Sequence, residues 1–440
     1  MPKNPSRVVR VALLGCGNVG TALVGLLVEP SARAALQARS GIEFELVGIG
    51  VNDASKARSS DPWFPGHLLT EDLAGLVARE DVDLVVELIG GIEPAGSLIG
   101  AALSSNKAVV TANKALLAER GIELSAMAEA HGVDLEFEAA VAGAIPVIRT
   151  LRESLAGESI TRVMGIVNGT TNYLLSTMAS TGRAYDDVLA EAQRLGLAEA
   201  DPTADVEGFD AAAKAAILAR LAFGTEVDVR LVHREGISSI SSVDIAFAER
   251  FGYAIKLLCV AERVGHKAIS VRVHPALVPL THPLAQVQGA FNAVFLEGAA
   301  LGSLMLYGQG AGGLPTASAV LGDLIDAANH LLEGECSAAP RNAANLDAVP
   351  IEEMRSAFYL SLDAADRPGV LAAVAAVFGE HHISISSMEQ HGLGDDARLV
   401  FVTHEASEAD MAATLVVLEQ LEVVRSTPGV LRVIAPEGEA

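Results

Sequence analysis

The stretch V-V-R-V-A-L-L-G-C-G-N-V-G, residues 8–20, decides the fold of the N-terminal part of the chain. Residues 8–14 have the composition of a short β-strand, and an apolar-periodic helix is predicted from about residue 21 to residue 28. Between them, three glycines follow the spacing G-x-G-x-x-G. In this strand–turn–helix context the motif predicts a dinucleotide site with the pyrophosphate at the helix N-terminus. The expected cofactor-binding residues of this loop are Gly15, Gly17, Asn18, Val19 and Gly20.

The same alternation of strand and helix continues beyond the glycine loop. Buried-type strands are predicted at residues 44–51, 83–89 and 107–111, with a helical stretch at 95–104 among them. Strands that alternate with helices form a parallel, doubly wound sheet, and the loops at their carboxyl ends line the ligand crevice. The motif T-A-N-K therefore places Thr111 and Lys114 towards the cofactor, although Lys114 alone would read as a surface lysine at a helix start.

The choice between NAD and NADP depends on the end of the second predicted strand. Asp53 can hold a ribose hydroxyl, as NAD requires, whereas Lys56 and Arg58 can hold a 2′-phosphate, as NADP requires. The residues leave both cofactors open, and NADP is favoured.

Composition and charge narrow the classes of function. The chain has 440 residues, enough for two or three domains, with 50% hydrophobic and only 4% aromatic residues. Its net charge of −24 argues against nucleic acid and anionic membranes as partners. Three scattered cysteines fit a reducing compartment, and no apolar stretch is long enough to span a bilayer. We therefore expect a cytoplasmic protein.

A second stretch carries the chemistry. Residues 199–214 read E-A-D-P-T-A-D-V-E-G-F-D-A-A-A-K, with a helix predicted over 211–221. If Asp210 caps that helix, Lys214 lies one turn later on the same face. A lysine held by a carboxylate can donate a proton to a substrate oxygen. For an arbitrary Asp/Lys pair, the alternative is an exposed salt bridge on a surface helix.

Three further loops present polar or backbone groups. The run G-I-V-N-G-T-T-N-Y, residues 165–173, ends a strand with groups that either orient a ligand or cap the next helix. Residues 307–318, Y-G-Q-G-A-G-G-L-P-T-A-S, open a helix with free N–H groups that suit an anion or the nicotinamide side of a dinucleotide. Residues 138–146 combine the carboxylate of Glu138 with inward-facing carbonyls. They form either a site for a hard monovalent cation or a packed turn.

The C-terminal part has a separate organisation. Residues 336–354 lack periodicity and are predicted to be a linker. Residues 355–440 then predict strands and helices in the order β-α-β-β-α-β, which is the ferredoxin-like arrangement.

Together these motifs resemble the homoserine dehydrogenase family over residues 8–436. The resemblance rests on the N-terminal glycine loop, T-A-N-K, the run at 165–173, the carboxylate stretch ending at Lys214 and the glycine-rich loop at 307–318. The C-terminal segment is similar to an ACT domain, with D-R-P-G-V at 366–370 in the usual ligand loop. The implied fold class is α/β, with a Rossmann-type dinucleotide domain, an α+β catalytic and dimerisation domain, and an ACT regulatory domain.

The resemblance implies the reversible reduction of L-aspartate 4-semialdehyde to L-homoserine with NAD(P)H. It makes Lys214 the proton donor and Lys114 a second lysine near the substrate, with Asp210 ordering Lys214. The implied substrate-binding residues are Glu199, Asp205, Thr170 and Asn168, and the late glycine loop contributes Gly310 to the cofactor site.

The resemblance also implies a sodium-type cation, an effector and an oligomer. The cation ligands would be Glu138 and the carbonyls of Val141, Gly143 and Ile145. The effector would be threonine, held at the ACT loop residues Asp366, Gly369 and Val370. The implied domains are 1–135, completed by a helix at about 313–335, then 136–312 for catalysis and oligomerisation, a linker at 336–354 and the ACT domain at 355–440. A homodimer or homotetramer is expected.

Some positions depart from the family pattern. Asn52 stands where many relatives carry an arginine that matters for cofactor choice, and Ala142 and Ala144 stand where glycines are common in the cation loop. Gln309 replaces a common proline in the late glycine loop.

Three other kinds of protein are alternatives to a homoserine dehydrogenase. A non-catalytic amino-acid sensor would keep the fold, but the intact Lys114 and Lys214 speak against it. Another ACT-containing dehydrogenase would need a His-centred catalytic motif, which is not found. An aspartate-semialdehyde dehydrogenase would need a reactive thiol, but Cys259 is predicted in an apolar helical setting that makes a poor thiolate.

Overall fold

The structure, a computed structural model, describes residues 7–336, 346–392, 394–426 and 429–434. Nine of the 19 residues of the predicted linker, residues 337–345, lie outside this range. Within the described chain no single helix is long and apolar enough to cross a bilayer, and only the bent pair Asn18–Val28 and Pro30–Ser40 passes that test jointly.

The N-terminal part folds around a parallel sheet with the strand order β3-β2-β1-β4-β5-β6. Its strands are β1 (Arg7–Leu14), β2 (Ile42–Gly50), β3 (Leu69–Thr70), β4 (Leu84–Glu87), β5 (Ala108–Thr111) and β6 (Leu135–Glu136). Its helices are α1 (Asn18–Val28), α2 (Pro30–Ser40), α3 (Leu73–Ala78), α4 (Ala95–Ser104) and α5 (Lys114–His131). This doubly wound order confirms the predicted Rossmann-type fold.

The central part is a mainly antiparallel sheet covered by helices. Its strands are β7 (Ile160–Ile166), β8 (His233–Arg234), β9 (Tyr253–Val264), β10 (Ala268–Pro279), β11 (Phe291–Gly298) and β12 (Gly302–Gln309). Among these strands only the two-residue β8 pairs in parallel, with β10. Its helices are α6 (Val147–Arg149), α7 (Gly169–Thr181), α8 (Tyr185–Arg194), α9 (Thr203–Val206), α10 (Phe209–Phe223) and α11 (Ser242–Arg250). Cys259 lies in strand β9, so its predicted helical setting is wrong, although the thiol is buried as expected.

The next helix, α12 (Gly313–Glu333), packs back onto the N-terminal sheet. Val320 and Leu324 are fully buried in the same apolar core as Val9 and Val11 of β1. Burial of such apolar side chains is the main stabilising contribution to folding, and it holds α12 against the N-terminal sheet. The chain therefore leaves the N-terminal part, forms the central sheet and returns to the N-terminal part with α12.

The longer elements of the C-terminal part have the predicted β-α-β-β-α-β order, and two additional strands of two residues each pair with β10 and with the first long strand. Its elements are β13 (Asp347–Ala348), β14 (Arg355–Ala365), α13 (Val370–Glu380), β15 (Ile385–Gly392), β16 (Asp396–Thr403), β17 (Ala406–Ser407), α14 (Glu408–Gln420) and β18 (Gly429–Val433). The strand order β18-β14-β16-β15 is that of a ferredoxin-like sheet.

The C-terminal sheet and the central sheet are continuous. Strand β18 pairs in parallel with β10, where Ala276 lies opposite Arg432 and Leu277 opposite Val433. The Ile434 N–H also donates to the Leu277 carbonyl at 2.9 Å. The last strand of the chain is therefore the seam between the two parts.

Candidate active site

Helix α10 places the two central site residues. Its N-cap is Gly208, whose φ of 77° is in the left-handed region, so Asp210 is the second helical residue and not the predicted cap. The i,i+4 geometry nevertheless holds, since Lys214 Nζ lies 2.7 Å from Asp210 Oδ2. Lys214 also donates to the Val167 carbonyl at 2.6 Å. The two side chains are only 9% and 4% exposed, which excludes the surface salt bridge.

A second lysine reaches the same carboxylate from the other domain. Lys114 is the first residue of α5, and its ammonium forms an ion pair with the other oxygen, Oδ1, of Asp210. Its side chain remains 45% exposed. The two lysines of the separate motifs therefore meet at one buried carboxylate where the N-terminal and central parts join.

Asn168 connects the carboxylate of Asp210 to the carboxylate of Asp205 through hydrogen bonds. Its side-chain oxygen caps α7 by accepting the Thr171 N–H at 2.9 Å. Its amide nitrogen donates to Asp210 Oδ2 at 2.9 Å and to Asp205 Oδ1 at 2.7 Å. The side chains of Asn168, Asp205, Asp210 and Lys214 thus form one hydrogen-bonded group.

The electrostatics of the group favour charged side chains. Burial alone would raise the pKa of Asp210, but the nearby ammoniums of Lys214 and Lys114 outweigh it and hold that pKa well below its usual value. Asp210 is therefore an anion at neutral pH and lies between two lysines, which is an arrangement that orients an ammonium towards a substrate oxygen.

The other two predicted substrate residues lie on the neighbouring segment. Glu199 is exposed, and its backbone carbonyl accepts Gln193 Nε2 at 3.0 Å. The Thr170 hydroxyl donates to the Leu197 carbonyl at 2.9 Å, so it attaches α7 to the segment before Glu199. Both residues border the group around Asp210 along the chain, but the structure gives neither side chain a contact with it.

The N-terminal glycine loop has the geometry that its motif predicts. Gly15 has a φ of 96°, and a Cβ there would lie 2.5 Å from the Leu88 carbonyl oxygen. A Cβ on Gly20 would lie 2.3 Å from the Gly15 oxygen, so strand and helix pack closely here. Helix α1 begins at Asn18, three residues earlier than predicted, with Gly17 as N-cap. The N–H groups of Asn18 and Val19 therefore open the helix beside a cleft of about 490 Å³.

The same cleft is lined by the charged residues that were predicted to distinguish NAD from NADP. Asp53, Lys56 and Arg58 all line it. Arg58 donates to the carbonyls of Asp53 and Lys56 at 2.8 and 2.7 Å, which folds the loop into a compact turn. Hydrogen bonds from Ser55 lower the pKa of the exposed Asp53 carboxyl. A carboxylate and two cations thus lie together at the ribose end of the cleft.

Thr111 connects the loop that follows β4 to the loop that follows β5 through buried hydrogen bonds. It is fully buried, donates to Glu87 Oε2 at 2.6 Å and accepts the Asn113 N–H at 3.0 Å. Glu87, which the sequence analysis missed, also accepts the backbone N–H groups of Ile89 and Gly90. The signal was an acidic residue inside the apolar run D-L-V-V-E-L-I. Thr111 and Glu87 therefore shape the 88–91 turn next to Gly15.

The second glycine loop packs onto the first. A Cβ on Gly313 would lie 3.1 Å from the Asn18 carbonyl oxygen, so the start of α12 touches the start of α1. Gly310 is enclosed further along: a Cβ there would lie 2.0 Å from the Asn292 side chain, and a Cβ on Gly143 would lie 2.4 Å from the Gly310 oxygen. Only glycines allow this approach, which brings Gly310 next to the candidate cation loop.

The candidate cation loop is oxygen-rich and buried. Glu138 accepts the N–H groups of Ile148 and Arg149 at 2.8 Å each, and burial raises the pKa of its carboxyl. Ala142 and Gly143 are both left-handed, with φ of 57° and 59°. Each Glu138 oxygen keeps a further lone pair, and the turn contains the carbonyls of Val141, Gly143 and Ile145, of which the Ile145 oxygen accepts the Val147 N–H at 2.8 Å. This donor set fits a hard monovalent cation.

The fold and the site define a dehydrogenase that uses a nicotinamide dinucleotide and carries an ACT domain. Three protein-family models match the chain. The family model described as homoserine dehydrogenase matches residues 146–325, the one described as the NAD-binding domain of homoserine dehydrogenase matches residues 15–138, and the ACT domain model matches residues 358–423. The chain belongs to the homoserine dehydrogenase family. It has the family's activity, the NAD(P)-dependent interconversion of L-aspartate 4-semialdehyde and L-homoserine in amino-acid biosynthesis, and its ACT domain indicates feedback regulation.

Similar proteins extend over the whole chain. A homoserine dehydrogenase of Corynebacterium glutamicum is 51% identical over 434 residues, covering 98% of this chain and 96% of its own. One from Mycobacterium tuberculosis is 52% identical, covering 96% and 97%. The crystal structure of a Thiobacillus denitrificans homoserine dehydrogenase has a TM-score of 0.91 at 41% identity and covers 97% and 98%. A hyperthermophilic archaeal homoserine dehydrogenase in complex with NADPH has a TM-score of 0.61 at 27% identity, covering 73% and 97%.

Proposed function

We propose that Lys214 is the acid and base of the reaction. The observation that carries this role is its ammonium, 2.7 Å from Asp210 and 9% exposed, at the meeting point of the two domains. The bound nicotinamide supplies the hydride to the aldehyde carbon in one direction and accepts it in the other. As the carbonyl oxygen gains negative charge, Lys214 donates a proton to it and the alcohol forms; in the reverse direction Lys214 takes the hydroxyl proton.

Lys114, Asp210 and Asn168 act on this proton transfer by position. Lys114 is a second ammonium near the substrate and nicotinamide, and it stabilises the charge on the oxygen. Asp210 holds both lysines, while Asn168 joins it to Asp205. A site of this kind works because its charges are already oriented when the reaction begins.

Substrate recognition falls to the exposed segment beside this group. Glu199 is the residue we assign to the substrate amino group, because a carboxylate is the natural partner of an ammonium. Asp205 and Asn168 order the substrate next to Lys214, and Thr170 holds the segment in place. Glu199→Gln is expected to raise the KM for L-homoserine with little change in the KM of the cofactor. An unchanged KM for L-homoserine would remove Glu199 from the site.

For the cofactor we favour NADP over NAD. Lys56 and Arg58 lie in the cleft of the glycine loop beside Asp53, and cations there suit a 2′-phosphate. The NADPH bound by the archaeal relative supports the same choice. The loop residues Gly15, Gly17, Asn18, Val19 and Gly20 hold the pyrophosphate, with Thr111, Lys114 and Gly310 towards the nicotinamide.

A sodium-type cation is proposed at Glu138 and the carbonyls of Val141, Gly143 and Ile145. The support is the buried oxygen donor set and the left-handed turn at Ala142 and Gly143. Such an ion would neutralise the buried carboxylate and fix this loop against Gly310. A sodium-dependent rise in melting temperature that Glu138→Gln abolishes would support it, and equal melting in sodium and choline salts would count against it.

For regulation we propose L-threonine at the ACT loop. Asp366, Gly369 and Val370 line a cleft of about 370 Å³, and Gly369 starts α13 with a φ of 94°. Inhibition of the full chain by threonine that Asp366→Ala abolishes, with the rate in the absence of threonine unchanged, would support this assignment. We further propose the domain limits 1–135 with 313–335, 136–312, 336–354 and 355–440, a homodimer or homotetramer, and a cytoplasmic location.

The test of Lys214 is a comparison of initial rates of L-homoserine oxidation with NADP and with NAD. Lys214→Met should lower kcat by about 10²- to 10⁴-fold, the usual contribution of a positioned proton donor. Cofactor binding, followed by NADPH fluorescence, should survive. The exposed Lys267→Met is the matched control and should keep wild-type rates. A Lys214→Met enzyme within tenfold of wild type would refute the assignment, and an inactive wild type would favour the non-catalytic sensor.

A further inference from the structure

The last strand of the chain carries a buried ion pair that spans the seam between the ACT domain and the catalytic domain. Arg432 of β18 is 7% exposed. Its Nη1 donates to both oxygens of Glu235 in the central domain, at 2.8 and 2.9 Å. Its Nε and Nη2 bind Glu408 at the start of α14, at 2.6 and 2.8 Å. One guanidinium thus joins a carboxylate of each domain, a geometry that only arginine provides.

The segment that carries Glu235 is fixed to the segment of the active site. Residues 234–238 begin at the last residue of β8 and run along residues 206–207. Ile237 N–H donates to the Val206 carbonyl at 2.8 Å. Arg234 donates to the Glu207 carbonyl at 2.7 Å, and the Ser238 hydroxyl donates to Glu207 Oε1 at 2.7 Å. Three hydrogen bonds therefore connect the two segments side by side.

The residues that accept those hydrogen bonds, Val206 and Glu207, lie next to Asp205 and to the start of α10 in the chain. Val206 closes α9, the short helix that carries Asp205, whose carboxylate binds Asn168 and through it Asp210. Gly208, the N-cap of the catalytic helix α10, packs against the Arg234 side chain, since a Cβ on Gly208 would lie 3.2 Å from Arg234 Cγ. A displacement of residues 234–238 would therefore move both the Asp205 helix and the start of α10.

We propose that Glu235 is a positioning residue for the dehydrogenase reaction, through which the ACT strand β18 sets the placement of Asp205 and of the helix that carries Lys214. Glu235 is not among the residues assigned above to the substrate or the cofactor. It fixes residues 234–238 against the ACT domain, and these residues fix 206–208. The inference rests on the role of Lys214 proposed above and adds the route by which the regulatory domain acts on it.

Breaking the pair should alter turnover more than cofactor binding. Glu235→Gln removes the charge but keeps the size of the side chain. We expect kcat for L-homoserine oxidation to fall by about 2- to 30-fold, the range of coupling through a packed network. The KM for L-homoserine should rise, because Asp205 and Asn168 are loosened. The KM for NADP should stay within about twofold, because the glycine loop belongs to the other domain.

Conservative and double variants separate positioning from folding. Glu235→Asp keeps the charge and should recover most of the lost kcat. Arg432→Lys keeps the charge but loses the fork, and should resemble Glu235→Gln. The double variant should lose less than the sum of the two single losses expressed as free energies, because both substitutions weaken the same Glu235–Arg432 pair. Each residue also has a partner outside this pair, Glu408 for Arg432 and His233 for Glu235. Rates are referred to active sites counted by NADPH titration, so a lower folded fraction does not alter them.

A second interdomain ion pair provides the matched control. Arg250 of α11 pairs with Glu389 of β15, on the same two domains but away from residues 234–238. Glu389→Gln should keep the wild-type kcat and KM. The inference is overturned if Glu235→Gln per active site turns over like wild type, if Glu389→Gln loses as much, or if the losses in the double variant add. If instead the Lys214→Met enzyme keeps its activity, the assignment of Lys214 as proton donor is wrong. That result is distinct from the results for Glu235→Gln and Glu389→Gln, because it is measured on a different variant.

Discussion

Asp210→Asn tests the centre of the site, because Asp210 is the carboxylate that two lysines share. The substitution keeps the shape of the side chain and removes its charge. Lys214 would keep the Val167 carbonyl at 2.6 Å but would have only a neutral amide in place of a carboxylate at 2.7 Å. Since its side chain is 9% exposed, water cannot replace the lost charge.

The magnitude follows from the separation and the burial. At 2.7 Å, two unit charges in a medium of effective dielectric constant about 20 attract by roughly 6 kcal/mol. Part of this offsets the desolvation of Asp210, which is 4% exposed. Removing one member of a buried pair is therefore expected to cost about 3–5 kcal/mol. The pair with Lys114, whose side chain is 45% exposed, adds at most about 1 kcal/mol.

Urea unfolding from pH 3 to pH 8 measures this difference. The folded-state pKa of Asp210 lies below that of the unfolded chain. Its stabilisation is therefore fully present above about pH 4 and is lost as the pH falls through the folded-state pKa. Wild type and Asp210→Asn should differ by a constant free energy of unfolding between pH 5 and 8, and this difference should shrink progressively as the pH falls from about 4 to 3. An unchanged m-value shows that the same cooperative unit unfolds.

Asp205→Asn is the matched control, because Asp205 shares the Asn168 amide with Asp210 but forms no ion pair with a lysine of the described chain. It should cost about 1 kcal/mol, the value of one hydrogen bond. The reasoning is refuted if Asp210→Asn costs no more than Asp205→Asn, or if its cost is the same at pH 3 and pH 7. Either result would mean that the lysine pairs contribute little to the folded state.

Two further results are expected. Lys56→Ala and Arg58→Ala should each raise the KM for NADP about tenfold, because each loses about one charge-assisted hydrogen bond to the 2′-phosphate. The KM for NAD should stay within about twofold. Equal increases in the KM for NADP and for NAD would show that neither Lys56 nor Arg58 binds the 2′-phosphate. In native protein, a thiol reagent should react quickly with the exposed Cys336 and slowly with the buried Cys16 and Cys259, since burial raises the pKa of Cys259 to about 12. Loss of activity on modification of Cys336 would contradict a mechanism without a thiol.

Local patterns account for the parts of the site that sequence reasoning predicted well. The glycine spacing after β1 fixes the turn, because a φ of 96° at Gly15 and the close approach to Leu88 admit no side chain. The i,i+4 spacing of Asp210 and Lys214 fixes their contact, because a helix places such residues on one face. The N-cap prediction was wrong, since Gly208 takes the left-handed cap position and moves the helix start two residues towards the N-terminus.

Contacts between distant segments account for the parts that only the tertiary structure decided. Lys114 and Asp210, Asn168 and Asp205, and Glu235 and Arg432 belong to motifs or runs with no shared periodicity. Their meeting depends on how α5, α7, α10 and β18 pack, which side-chain volumes and sheet pairing set over the whole chain. By itself the sequence determined the family, the glycine loop and the aspartate–lysine pair. The joining of both lysines at one buried carboxylate, and of the ACT strand to the catalytic sheet, came from packing, because hydrogen bonds across the chain have no local signature in its residues.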